Sequence, residues 1–176
     1  MADIIYRPAQ ATDALTIAAI HIASWRDAYR SILDPAFLAG PIEEDRRSHW
    51  LGKLSTPSPD FLVDVASTGD GTLVGFAATQ RNLDRRWGSL VDNLHVLPEM
   101  RGRKIGATLL RSAARKLASQ QAAEGLHLWV FEANEPALGF YKRLGGQVVE
   151  RTISQIPTEN GRTILRVHWP ALSALF

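Results

Sequence analysis

The stretch Leu94–Leu117, "LHVLPEMRGRKIGATLLRSAARKL", limits the possible folds more than any other part of the chain. It begins as an apolar strand, breaks at Pro98, and crosses a basic turn carrying Gly102 and Gly106. It then becomes a helix in which Ile105, Leu109, Leu110, Ala113 and Leu117 share one stripe, the pattern of a helix packed on a sheet. The first N–H groups of such a helix lack intrahelical partners, and its dipole favours negative charge there. Yet Arg101, Arg103 and Lys104 crowd that terminus, and no acidic residue occurs between Glu99 and Glu124. An anionic ligand reverses the sign of this clash, and phosphate is the natural candidate. A merely solvated basic face is the plain alternative. The glycines, which let a ligand approach the backbone, favour the ligand.

Composition shows that the charge is local. The 176 residues carry a formal net charge of +2, too little for nucleic-acid binding by bulk electrostatics even with a pI near 9.2. The length suits a single domain over residues 1–176 with a real core. With no cysteine, disulfides, a thiolate nucleophile and cysteine-ligated metals are excluded. No apolar run reaches membrane-spanning length and "MADIIYRPAQ" lacks a leader pattern, so a cytoplasmic location is expected. The histidines His21, His49, His95, His127 and His168 show no ligand spacing, so no metal site is expected.

The remaining segments read as alternating elements. "DIIYRP" is a strand ended by Pro8, and a helix follows from Thr12, with Thr12 or Asp13 as its N-cap. Asp34 before Pro35 and Gly40 before Pro41 start further helical pieces, the second ending near Gly52. "DFLVDVAS", "TLVGFAATQ" and "WGSLVDNLHV" form a meander, with "RNLDRR" as the second loop. After the basic helix come the strand "LHLWVF", a helix from Asn134 to Leu144, and the strands "GQVVERTIS" and "TILRVHW". This order predicts a mixed α/β sheet with antiparallel and parallel pairs, not a regular doubly wound one.

Two familiar phosphate motifs are absent: "GRKIGAT" has the wrong spacing for a P-loop, and no Gly-x-Gly-x-x-Gly occurs. Instead, "V-x-P-x-x-R-G-x-x-I-G" entering a helix resembles the acyl-CoA pyrophosphate loop of the GNAT superfamily of N-acetyltransferases. Lys104 stands where that pattern, Gln/Arg-x-x-Gly-x-Gly/Ala, has its first glycine. "EANEPALGFYKRLGG" is similar to the family's Asn-x-x-Ala-x-x-Phe-Tyr-x-x-x-Gly helix, and "HIASWRDAYRSIL" resembles one bacterial branch. The resemblance implies the GNAT acyltransferase fold: a mostly antiparallel sheet with one splayed parallel pair and helices on both faces. It implies that acetyl-CoA inserts between the strand ending at Val96 and the strand Leu126 to Phe131. Leu94, His95 and Val96 would then meet the pantetheine, and Arg101, Gly102, Arg103, Lys104, Ile105, Gly106 and Ala107 the pyrophosphate. Asn134 and Tyr141 would complete the cofactor-binding set.

Acetyl transfer needs a deprotonated amine, a polarised thioester and a stabilised thiolate. Direct attack by the amine is the simplest route without a cysteine. The resemblance makes Tyr141 the acid for the thiolate, although Ala137, Phe140, Tyr141 and Leu144 also read as a core stripe. Asp92 is the expected base, placed by alternation on the face of Leu94 and Val96; His95, Glu132 and a water chain compete. Asn134 reads equally as an N-cap. Trp25 and Tyr29, four positions apart, are expected at the acceptor pocket or in the core. The function expected is acetyl transfer to an amine of a small molecule or protein, without nucleic-acid or membrane partners. A non-catalytic acyl-CoA-binding module is the alternative. The apolar tail "VHWPALSALF" suggests packing on its own sheet or in a homodimer.

Overall fold

The computed structural model describes residues 3–122 and 124–176. Seven strands form one sheet: β1 (Ile4–Pro8), β2 (Phe61–Thr68), β3 (Leu73–Asp84), β4 (Gly88–Val96), β5 (Leu126–Phe131), β6 (Gln147–Ile153) and β7 (Thr163–Trp169). Their spatial order is β1-β2-β3-β4-β5-β7-β6. Among the described residues, only β4 and β5 pair in parallel. The helices are α1 (Ala14–Ala28), α2 (Pro35–Ala39), α3 (Ile42–Ser55), α4 (Ile105–Ser119) and α5 (Glu135–Arg143). This is the mixed sheet that the element order predicts.

The apolar stripe of α4 does what its period requires. Leu110, Ala114 and Leu117 pack on Val91, Leu126, Leu128 and Val167, and Ile105 and Leu109 pack on Ala66 and Ala77. On the opposite face, Ile17 and Ala18 of α1 and Trp50 of α3 cover Val63, Val65, Phe76 and Ala78. The sheet is therefore clad on both sides. The apolar tail turns back into this core. Leu172 and Leu175 are buried beside α4, and Arg111 Nε donates to the Leu175 carbonyl at 3.1 Å. Phe176, at the end of the tail, stays exposed.

Three local readings are corrected. Arg81 to Asp84, expected in a loop, extend β3. α3 continues through Gly52 to Ser55. Asp13 does not cap α1; its carboxylate accepts from Arg7 at 2.7 and 3.0 Å and from the Gln10 N–H at 2.7 Å.

The parallel pair is short. β4 and β5 are in register only at Ser89↔Leu126 and Leu90↔His127. At its closed end Gly88 has φ +81°, and a Cβ there would lie 2.2 Å from the Gly125 carbonyl oxygen, so the close backbone approach requires glycine. Beyond Leu90 the strands diverge, and β4 loses its neighbour on that edge.

Candidate active site

The divergence opens a cavity of about 620 Å³. Leu94, His95 and Val96 of β4 line one side, Trp129 and Val130 of β5 the other, and Asn134, Ala137, Phe140 and Tyr141 come from α5. The basic turn closes one end through Arg101, Gly102, Lys104, Ile105, Gly106 and Ala107. Ser24, Ala28 and Tyr29 bring α1 to the wall. A sheet interrupted this way exposes backbone donors and acceptors of β4 to whatever occupies the gap.

The turn itself is built from left-handed residues. A 3₁₀ turn, Pro98–Met100, leads to Gly102 at φ 79° and Lys104 at φ 61° before α4 begins. Lys104 thus holds a conformation that glycine adopts without cost, at the position where the resembling pattern has glycine. A Cβ on Gly102 would meet nothing within 4 Å, and one on Gly106 would meet Phe140 at 3.5 Å and Val96 at 3.7 Å. The free N–H groups at the start of α4 and the side chains of Arg101 and Lys104 converge on this end. Arg103 is exposed and outside the cavity lining. Arg143 of α5, which sequence reasoning missed, lines the cavity and adds a cation.

Two phenols, Tyr29 and Tyr141, line the cavity. Burial pushes the Tyr141 hydroxyl well above the ordinary phenol range, and neighbouring Tyr29 pushes it further. The Tyr29 hydroxyl is pushed up to about 12, first by burial, then by the Glu159 carboxylate, with Asn134 acting in the opposite direction as a hydrogen-bond donor. Both stay protonated at neutral pH and can donate. Asn134 also accepts from the Ala137 N–H at 3.4 Å, so its oxygen caps α5 while its amide faces Tyr29. Tyr141 keeps core contacts as well, edge-on to Trp169 at 6.1 Å. Glu159 was invisible to sequence reasoning because nothing in a hairpin loop marks which carboxylate turns inward.

His95 lies on the floor. Its Nδ1 is 3.0 Å from Ser24 Oγ, and its ring stacks on His21 at 4.4 Å. Burial, then Arg101 and Arg46, lower its pKa to about 3. It is a neutral imidazole at any physiological pH.

Two expectations change. Asp92 does not share a face with Leu94 and Val96, because a bulge in β4 opposite Ala78/Thr79 puts two residues where one would pair. Val91 and Leu94 both pack on the α4 side, while Asp92 is exposed, accepts from Asn93 Nδ2 at 2.8 Å, and acts electrostatically on His49 of α3. Of the two aromatics, Trp25 on α1 and Tyr29 at its C-cap, only Tyr29 lines the cavity. Trp25 packs one turn earlier, edge-on to His21 at 4.7 Å, with the Arg46 guanidinium 5.2 Å above its ring.

Comparison with known proteins agrees with this geometry. The family model described as Acetyltransferase (GNAT) family matches residues 22–146. A protein of Bacillus subtilis (strain 168), provisionally named a ribosomal protein bS18-alanine N-acetyltransferase, is 32% identical over 115 residues, 65% of this chain and 70% of its own. Streptothricin acetyltransferase of Streptomyces lavendulae is 37% identical over 88 residues, 49% of this chain and 44% of its own, so the chain spans less than half of that relative's length. In fold, the chain is similar to the PaiA N-acetyltransferase of Thermoplasma acidophilum in complex with coenzyme A, with a TM-score of 0.76, 22% identity, and coverage of 95% of this chain and 99% of that one. The chain belongs to the GNAT family and is an acyltransferase.

Proposed function

We propose that this protein moves an acetyl group from acetyl-CoA directly to an amine of a small molecule or a protein. The observation that carries the reading is the cavity between the splayed β4 and β5, which ends at the basic N-terminus of α4. A narrow apolar slot with unpaired strand edges suits a pantetheine arm. A helix N-terminus with Arg101, Lys104 and Arg143 suits a diphosphate. The acceptor classes named in the relatives, a ribosomal-protein alanine and streptothricin, support an amine but do not choose between protein and small molecule.

In this reading the residues divide the work. Leu94, His95 and Val96 offer the free edge of β4 to the pantetheine, and Asn134 offers its second amide hydrogen. Neutral His95, held by Ser24, fills the floor without adding charge. Tyr141, kept protonated by burial, gives its proton to the departing sulfur. Tyr29 lines the same cavity and acts electrostatically on Tyr141. Asp92, on the α3 side, is an exposed carboxylate outside the cavity lining. A cavity-facing phenol has no task in a module that only binds, which favours transfer over the binding-only reading.

Acetyl-CoA should raise the melting temperature of the protein by mass action, and equimolar ATP should do so much less. Absence of a shift at millimolar acetyl-CoA, in protein freed of CoA, would remove the assignment.

A further inference from the structure

The loop between β6 and β7 carries a carboxylate, Glu159, that has no counter-charge among the described residues. Glu159 closes a 3₁₀ turn, Pro157–Glu159. The two residues after it, Asn160 and Gly161, are left-handed with φ 48° and 64°, and the Arg162 N–H returns to the Glu159 carbonyl at 3.0 Å. The hairpin is tied to the acceptor side of α1, because Arg162 Nε donates to the Ile32 carbonyl at 2.7 Å. Ile32 in turn is buried in the cluster that contains Tyr29, Phe131 and Ile164. This bracing holds the half-buried Glu159 beside the cluster that contains Tyr29, near enough for its carboxylate to act electrostatically on the Tyr29 phenol. Burial raises its proton affinity and a hydrogen bond from Ser154 of its own hairpin lowers it; Glu159 and Arg101 act in opposite directions on Tyr29, which follows α1. No lysine, arginine or histidine pairs with Glu159 among the described residues.

An unpaired, partly desolvated carboxylate is costly unless a cation arrives. The acceptor of an N-acetyltransferase arrives as an ammonium ion. We propose that Glu159 binds the acceptor ammonium beside Tyr29 and takes its proton. The proposal rests on the acyl-transfer reading above. The raised affinity of Glu159 for a proton, which burial causes, fits a base better than an ordinary surface carboxylate. In the step, an N–H proton moves to Glu159 and the nitrogen lone pair forms the bond to the thioester carbonyl carbon. The C–S bonding pair leaves on sulfur, which takes the Tyr141 proton; Tyr141 regains one from the new amide nitrogen. Glu159 later releases its proton to water.

The test uses the full chain and n-butylamine as the probe acceptor, with n-butanol as its uncharged analogue. Binding is read by chemical-shift changes of the Tyr29 ring in the acetyl-CoA complex, and transfer by release of CoA thiol. Glu159→Gln should weaken n-butylammonium binding at least tenfold and leave n-butanol and acetyl-CoA binding unchanged. It should lower kcat/KM by roughly 10²–10³. The pH profile should also change shape. In the wild type, kcat/KM rises through the Glu159 titration to a plateau and falls as the amine deprotonates near about pH 10; in the variant it climbs continuously toward that pH, because only neutral amine then reacts. A variant that binds and turns over n-butylamine like the wild type overturns the proposal. So does a wild type that takes up acetyl-CoA but no n-butylammonium, or loss of the acid limb in Asp92→Asn with Glu159→Gln unaffected. If acetyl-CoA itself fails to bind the wild type, the acyl-transfer reading falls, and the ammonium comparison alone decides whether Glu159 is a cation site.

Discussion

Arg101, the first cation of the phosphate turn, is ion-paired with Asp27 in the last turn of α1. The pair couples the two walls of the cleft: Asp27 stands two residues before Tyr29, and Arg101 opens the turn that leads into α4. A diphosphate entering this end competes with Asp27 for the guanidinium. Asp27→Asn should therefore tighten acetyl-CoA binding by a few-fold, measured by calorimetry. Folding stability should change by less than about 1 kcal/mol, because the pair is exposed and screened by solvent. Weaker binding in the variant would mean that Asp27 positions Arg101 and does not compete for it.

Lys104 gives the second test. It occupies a left-handed conformation at φ 61°, which costs a non-glycine residue about 1 kcal/mol. Lys104→Gly should stabilise the fold by up to about 1 kcal/mol in urea unfolding while weakening CoA through loss of a cation. A variant less stable than the wild type would contradict the strain argument.

How far the sequence led can be judged at this turn. The strand, the turn and the amphipathic α4 were legible because period and punctuation are local. The second motif likewise placed Asn134 and Tyr141, which line the cavity with the turn. What could not be read is what depends on pairing. The bulge that carries Asp92 to the other face is a property of β4 against β3, and strict alternation misses it. Arg143 and Glu159 became candidates only when α5 and the β6–β7 hairpin folded beside the cleft. The Arg101–Asp27 pair could not be read from the sequence because its partners are 74 positions apart.

The histidines predict a pH effect on stability. His95 has its pKa lowered to about 3, and His21 is lowered well below its ordinary value, first by burial. The folded state binds fewer protons at these sites than the unfolded chain. Their neutral state therefore imposes no cost above about pH 6.5, and stability is lost as the pH falls from there toward 3. His95 alone should remove about 1–2 kcal/mol by pH 5. Urea midpoints at pH 7 and pH 5 check this: His95→Gln should show a shallower fall than the wild type, whatever its absolute stability. Parallel slopes would mean that His95 is not buried neutral.

Tyr141 separates packing from chemistry. Tyr141→Phe keeps the ring against Trp169 and removes a hydroxyl. Its stability should stay within about 1 kcal/mol of the wild type, while turnover falls by roughly 10²–10⁴. Acetyl-CoA affinity should hold within a few-fold, since the proton is given only as the thiolate forms. Tyr141→Ala should instead lose about 3–5 kcal/mol of stability to a cavity. Thermal melts beside steady-state kinetics distinguish the two, and near-normal turnover in the Phe variant would reduce Tyr141 to a core residue.

The most direct measurement of the central claim is the release of CoA thiol from acetyl-CoA in the presence of a panel of amines, with the products weighed by mass spectrometry. The panel should span peptides with N-terminal alanine, lysine-containing peptides and small polyamino compounds. The account requires thiol release that depends on both protein and amine, matched one for one by an acetylated amine. Acetyl-CoA that binds the cleft yet yields no thiol and no acetylated product with any amine would contradict it.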